Sequence, residues 1–193
     1  MRKVLGTALA LLLLGTTTGH AEVDGLKDSY VSIGYIFGNA EFKQDGGKTD
    51  FYEPSFNLGL GTTLTATESD IGSLRVAVDW TYRGFEEDNN AGFKTDILIN
   101  TFGANAYFDF KTGTALTPYV NGMLGITYAH LDFGPGFDKS KATLSYGVGL
   151  GAAVQINQKT DIDLGYKYGK MMNKVGGVKI ENSDVILSLR LHF

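Results

Sequence analysis

The chain has 193 residues, 17 basic against 21 acidic, a formal charge of −4, and no cysteine. That length holds one domain, or one domain with a removable leader. The acidic balance leaves no footprint for nucleic acid. Without thiols there is no disulfide framework, zinc–thiolate site or cysteine nucleophile. Aromatic residues set inside alternating runs argue against disorder despite 26 glycines.

The N-terminus reads as a leader. Arg2 and Lys3 give a positive start, Val4 to Leu14 is an uncharged apolar run, and Gly19-His20-Ala21 is a small-x-small cleavage site. This is the layout of a secretory signal peptide, too short to span a bilayer. Cleavage after Ala21 divides the chain into a signal peptide, 1–21, and a mature domain, 22–193. No later segment is long and apolar enough for a transmembrane helix. If the exported domain enters a membrane, it must do so as a closed barrel.

Eight segments with period-2 alternation follow, the pattern of strands with one apolar and one polar face. The first, Asp28–Phe37, sets Val31, Ile33, Tyr35 and Phe37 against Ser32 and Gly34. The second, Tyr52–Thr65, sets Phe56, Leu58, Leu60 and Leu64 against Asn57, Gly59, Gly61 and Thr63. The third, Gly72–Arg83, sets Leu74, Val76, Val78, Trp80 and Tyr82 against Arg75, Ala77, Asp79, Thr81 and Arg83. In the fourth, Thr95–Phe110, Leu98, Phe102, Ala104, Ala106, Phe108 and Phe110 oppose Thr101, Gly103, Asn105, Tyr107 and Asp109, with Asn100 out of pattern on the apolar side. The fifth, Leu116–Leu131, opposes Val120, Leu124, Ile126 and Tyr128 to Asn121, Gly125, Thr127 and Ala129. The sixth, Lys141–Ile156, opposes Leu144, Tyr146, Val148, Leu150, Val154 and Ile156 to Ser145, Gly147, Gly149, Gly151 and Gln155. The seventh, Thr160–Lys170, opposes Ile162, Leu164, Tyr166 and Tyr168 to Asp161, Asp163, Gly165, Lys167 and Gly169. The eighth, Ser183–Phe193, puts Val185, Leu187, Leu189, Leu191 and Phe193 on one side and Asp184, Ser188, Arg190 and His192 on the other.

The connections alternate too. Ala66–Ile71, Lys111–Ala115 and Asn157–Lys159 are short. Gly38–Phe51, Gly84–Lys94, Asp132–Ser140 and Met171–Asn182 are longer and more polar. Short turns at one rim and longer loops at the other is the layout of an outer-membrane barrel.

Volume decides which way the apolar face points. An eight-stranded ring has an interior just wide enough to be filled by side chains. The bulky parity does not fit there, whereas glycine, serine, threonine, alanine and a few charges do. A lysine or arginine on the lipid face costs roughly 2–4 kcal/mol near the midplane. Every mid-strand charge, namely Arg75, Asp79, Asp163, Lys167 and Arg190, falls on the small parity. Aromatics gather at strand ends, as at bilayer interfaces. The expected fold is an all-β, eight-stranded antiparallel up-and-down transmembrane β-barrel.

The leader, the eight alternating strands, the glycine-rich inner face and the terminal L-S-L-R-L-H-F resemble the opacity-protein and OmpA-like family of small outer-membrane β-barrels. The resemblance covers the whole mature chain and implies location in the bacterial outer membrane. That family comprises adhesins, surface antigens, small pores and barrels of unassigned role. It implies a non-enzymatic, surface-exposed structural or interaction protein with extracellular loops, with a narrow porin-like ion pore as the alternative. It further implies outer-membrane lipid and lipopolysaccharide as neighbours, and periplasmic chaperones and the barrel-assembly machinery as partners in biogenesis. Phe193 would be the assembly signal. No cofactor is implied.

Arg75, Asp79, Asp163, Lys167 and Arg190 are candidates for a lumen charge network, since buried charges need partners. Asp163 and Arg190, on neighbouring segments, form an expected pair. His130 and Asp132 near the third loop, with Ser140 and Ser145 some distance on, raise a lipid-modifying enzyme as a less favoured reading, because no compact His-x-Ser element is present. Glu86-Glu87-Asp88 lacks the oxygen spacing of a calcium loop and reads as a solvated acidic tip. Gly46-Gly47 and Gly176-Gly177 read as turn formers. The loop aromatics Phe51, Tyr52, Phe85, Phe93, Phe133 and Phe137 either contact an unidentified surface ligand or pack the loops.

Overall fold

The computed structural model describes residues 26–44, 46–52, 55–88, 94–134 and 136–193, without the side chains of residues 87, 88 and 94. The leader with its cleavage after Ala21, and Phe93, lie outside the described residues. Nine strands follow one another: β1 (Leu26–Gln44), β2 (Gly47–Tyr52), β3 (Ser55–Leu64), β4 (Gly72–Asp88), β5 (Lys94–Phe110), β6 (Leu116–Asp132), β7 (Asp138–Asn157), β8 (Thr160–Met171) and β9 (Lys179–His192). Each pairs antiparallel with its neighbour, and β1 also pairs with β9, so the sheet closes. Both β2 and β3 pair with β1, one along Asn39–Gln44 and the other along Leu26–Ile36. They fill a single position, and the ring has eight. This is the expected barrel.

The outer face of the ring is the bulky parity. Leu124, Phe102 and Val148 are 72%, 65% and 62% exposed, which suits lipid and not water. On the inner face, glycines make room for tyrosines. A Cβ at Gly61 would come within 2.4 Å of the Tyr30 ring, and one at Gly151 within 2.5 Å of the Tyr119 hydroxyl. At these positions glycine is demanded by close approach rather than by backbone freedom.

Asn100 also finds its explanation. It lies in register between Tyr82 and Tyr128 and accepts a hydrogen bond from the Trp80 indole at 3.2 Å. It therefore belongs to the aromatic girdle at the loop end, where a polar group meets the headgroup layer.

Two of the four stretches expected to be long loops, Gly38–Phe51 and Gly84–Lys94, are largely strand among the described residues, and strand also extends into the other two. β1 runs on to Gln44, β4 to Asp88 and β6 to Asp132, and their partners begin at Gly47, Lys94 and Asp138. Among the described residues Phe133, Gly134, Gly136 and Phe137 stay outside the strands, as does Met172–Val178, which is closed by a Val175–Val178 bridge and turned at Gly176 and Gly177, both at positive φ. The reason is an inversion of the pattern. Beyond the girdle the outer positions meet water, so polar residues face out and apolar ones face in. Ala40, Phe42, Phe85, Ile97, Ile99, Ala129, Leu131, Met171, Val175, Val178 and Ile180 form a buried core inside the loop end. Phe51, Phe133 and Phe137 pack against it, with Phe42 and Phe51 edge to face at 5.1 Å. Of the loop aromatics weighed as ligand contacts, Phe85 is thus core and Tyr52 is exposed. The acidic run beginning at Glu86 ends strand β4 instead of capping a loop, with Glu86 in register with Asp96.

Ile97 is fully buried at the centre of this core. Ile97→Ala should lower unfolding free energy by about 2–5 kcal/mol. Denaturant titration of the barrel in micelles checks this; an equal loss from Leu124→Ala, on the lipid face, would contradict it.

Candidate functional site

Two regions carry the chemistry of this barrel: the lumen and the outer surface beyond the girdle. In the lumen, inward positions on β4, β5, β6, β8 and β9 bring the five sequence candidates into three groups. The Arg75 guanidinium donates to both Asp109 oxygens at 2.7 and 2.9 Å and to the Tyr30 hydroxyl at 2.7 Å, with the Tyr107 ring 3.9 Å away. This bidentate, stacked geometry is the strong form of an arginine contact. Arg190 pairs with Asp163, which also accepts from the Tyr119 hydroxyl at 2.8 Å. His192 lies 2.9 Å from Asp161 at the turn rim. Asp79 accepts from Asn105 at 2.9 Å and lies 3.6 Å from Lys167. Tyr30 and Tyr119 each stand within 6 Å of both Arg75 and Arg190, which ties the first two groups together.

Nearer the loop end Arg83 pairs with Asp184. Between these layers lie a cavity of about 50 Å³ around Arg75, Asp79 and Arg190 and one of about 30 Å³ around Arg83 and Asp184. Each is bordered by polar atoms without a protein partner, Asn57 Oδ1 and Asp79 Oδ1 in the first, Arg83 Nη1 and Asp184 Oδ1 in the second. Such pockets suit single buried waters. Above both lies the apolar core. The tyrosines and Asn105 were not among the sequence candidates, although Tyr30 shares parity with Ser32 and Gly34.

The second region is the water-facing outer surface. On β8, the Met172–Val178 loop, β9, β1 and β2, lysines crowd together: Lys43, Lys48, Lys170, Lys174 and Lys179. Lys139 and Lys141 of β7, on the inward parity opposite Leu131 and Ala129, stand exposed at the loop rim beside them. Lys141 donates to the Lys174 carbonyl. Three acids sit among them. Glu181 is bonded by Lys179 at 2.6 Å and Lys43 at 2.8 Å, and Glu41 by Lys43 and Lys48. Asp50 is 3.4 Å from Lys48. Hydrogen bonds from Lys179 and Lys43 pull the Glu181 carboxyl down to about 2. This side is strongly basic.

His130 Nδ1 lies 2.8 Å from Ser140 Oγ and 3.5 Å from Asp138. The fold thus gathers a serine, a histidine and an acid that sequence spacing left apart. Both partners approach the same ring nitrogen, however, whereas a catalytic triad needs the acid on the opposite one. Among the described residues there is no group of three or more His, Cys, Asp or Glu able to hold a metal.

Comparison with known proteins agrees with this geometry. Residues 7–193 match the family described as "Outer membrane protein beta-barrel domain". The chain belongs to that family. It is 32% identical over 187 residues to the attachment invasion locus protein of Yersinia pseudotuberculosis, covering 91% of this chain and 93% of that one. It is 28% identical over 131 residues to outer membrane protein PagN of Salmonella typhimurium, and there it spans about half the relative's length, 52%, and 62% of its own. Among solved structures, Neisserial surface protein A superposes with a TM-score of 0.66 at 25% identity over 88% of this chain and 100% of that one. Yersinia pestis Ail bound to the heparin analogue sucrose octasulfate gives 0.52 at 22% identity over 86% and 100%. This barrel lies in the bacterial outer membrane as a surface protein, its loop end outward.

Asp163 and Arg190 are both nearly fully buried. Asp163→Ala strands the guanidinium and should cost about 3–5 kcal/mol of stability. The double variant Asp163→Ala/Arg190→Met should recover most of it, as read from denaturant midpoints. Equal losses from the single and double variants would contradict the pairing.

Proposed function

We propose that this barrel is a non-enzymatic surface attachment protein whose lysine-rich side takes polyanionic, sulfated glycan. The observation that carries this reading is the gathering of five lysines against three acids on one outer side of the loop end, with Lys139 and Lys141 at the adjoining rim; Lys139, Lys141 and Lys174 are exposed with no carboxylate partner among the described residues. Clustered like charge at a surface raises the local concentration of a polyanion and speeds its capture. Ail of Yersinia pestis, a barrel of the same fold, binds a heparin analogue, which supports the choice of ligand class. The apolar core across the lumen and the two small cavities speak for a closed barrel over the ion-pore alternative. The shared nitrogen at His130 speaks against a lipid-modifying enzyme. The lumen network of Arg75, Asp79, Asp163, Lys167 and Arg190 is in this reading structural: it fills the ring and fixes its register. Lipopolysaccharide surrounds the girdle, and periplasmic chaperones and the barrel-assembly machinery deliver the chain after cleavage behind Ala21.

Lys139→Gln, Lys141→Gln and Lys174→Gln together should weaken binding to immobilised heparin by about tenfold, some 1.4 kcal/mol. The remaining binding should depend less steeply on salt. Unchanged retention by the folded triple variant would refute the glycan reading. Phe193, whose backbone N–H bonds Ser29 O at 2.9 Å while its ring faces outward, acts as the assembly signal. Deleting it should lower the outer-membrane level of the protein in cell fractions before it changes heparin binding per folded molecule; a normal level would argue against that role.

A further inference from the structure

The outer surface has a second charged side, across the ring from Lys43, Lys170 and Lys179. Glu86, Asp96, Asp132 and Asp138 stand in one register row across β4, β5, β6 and β7. They occupy the outward parity just beyond Tyr82, Asn100 and Tyr128. Like charges directly opposite one another across a strand pair cost stability. Among the described residues no lysine or arginine pairs with Asp96, Asp132 or Asp138.

Below this row, on the lipid face of the same strands, the wall has a dent. Ala104 and Ala106 of β5 are exposed, and Ala106 is in register with Gly122 of β6. A Cβ at Gly122 would meet nothing within 4 Å. Phe102, Val120, Leu124 and Val148 rim it. Lipid tails are as apolar as leucine, so barrels gain nothing from hiding oil from oil. Association within the membrane comes from close packing, and small residues permit it.

β9 and β1 lie diametrically across the eight-position ring from β5 and β6. There the lipid face is a ridge of Ile33, Tyr35, Leu187 and Leu189, all exposed. Above the ridge stand Lys43, Lys170 and Lys179. The two sides are complementary at both heights, small against bulky in lipid and acid against lysine in water. We propose that copies of this chain associate side by side in the membrane plane, the dent and acidic row of one copy against the ridge and lysines of the next. Because the two faces differ, the contact is head to tail. Each pair leaves one face of each kind free, so rows can extend. This goes beyond glycan binding and does not require it, although a soluble polyanion would compete for the same lysines.

Energy transfer between donor- and acceptor-labelled barrels in liposomes tests the proposal. The chain has no cysteine, so Gln158→Cys in the exposed turn after β7 gives a single label away from both faces. The full-length mature protein should show transfer above the random-mixing level, falling as salt is raised. Gly122→Phe, which fills the dent without altering charge, should bring transfer down to random. So should Asp96→Lys/Asp132→Lys/Asp138→Lys alone and Lys170→Glu/Lys174→Glu/Lys179→Glu alone. Mixing those two charge variants should restore it, since each then offers the face the other lacks. Heat-dependent gel mobility confirms that each variant is folded. Random transfer for the parent protein, or folded charge variants that neither lose transfer alone nor regain it when mixed, would overturn the proposal.

Discussion

A closed ring of eight strands has one interior but two exteriors, and the change of outer solvent along each strand governs everything else in this barrel. Closure satisfies the backbone without edges. It also fixes an interior so narrow that side chains alone fill it. Where lipid lies outside, the large apolar residues must face out, and the interior is left with glycines, tyrosines and paired charges. Where water lies outside, the same ring can turn its apolar residues inward. Ile36 and Arg83 mark the crossover on their strands. Towards the turns the inner wall is polar, and towards the loops it becomes Ala40, Phe42, Phe85 and Ile97.

This inversion explains both what could be read from the sequence and what could not. Within the bilayer the alternation is regular and one-signed, so eight strands, their facing and the expected Asp163–Arg190 neighbours were legible from parity alone. Asn100 looked anomalous because an isolated sequence does not mark where the headgroup layer begins; its partner Trp80 is on the preceding strand, in the same girdle. Beyond the girdle the polar residues Asn39, Glu41 and Lys43 alternate with Ala40 and Phe42 as regularly as before, but with the opposite meaning. A polar, glycine-punctuated stretch reads as loop when its apolar residues are assumed to face lipid. The tyrosines were missed for a related reason. Tyr30 and Tyr119 look too large for the small parity until Gly61 and Gly151 are seen across from them.

The lumen groups share a division of labour that no single pair shows. Arg75 and Arg190 are each held by a carboxylate and flanked by the same two tyrosines. The rings supply volume and a polar tip together, which a narrow interior needs. Glycine opposite tyrosine and arginine against aspartate are therefore one packing solution. It also ties together strands that are not ring neighbours, through hydrogen bonds from Arg75 of β4 to Tyr30 of β1 and from Tyr119 of β6 to Asp163 of β8.

With the interior committed to packing and the lower exterior committed to lipid, the described residues leave one broad surface free to carry recognition. That surface is the outside of the strands where they stand clear of the membrane. Its backbone is held in the sheet, and its side chains are backed by a buried apolar core, so Lys43, Lys179 and Glu181 on one side and Asp96, Asp132 and Asp138 on the other keep fixed spacing. Groups on long flexible loops would lose conformational freedom on binding; groups on a rigid sheet lose little. The sorting of lysines to one side and carboxylates to the other then acts as a permanent feature of shape. A surface so divided meets anions along one edge and cations along the other, and each copy presents to its neighbours the complement of what it lacks.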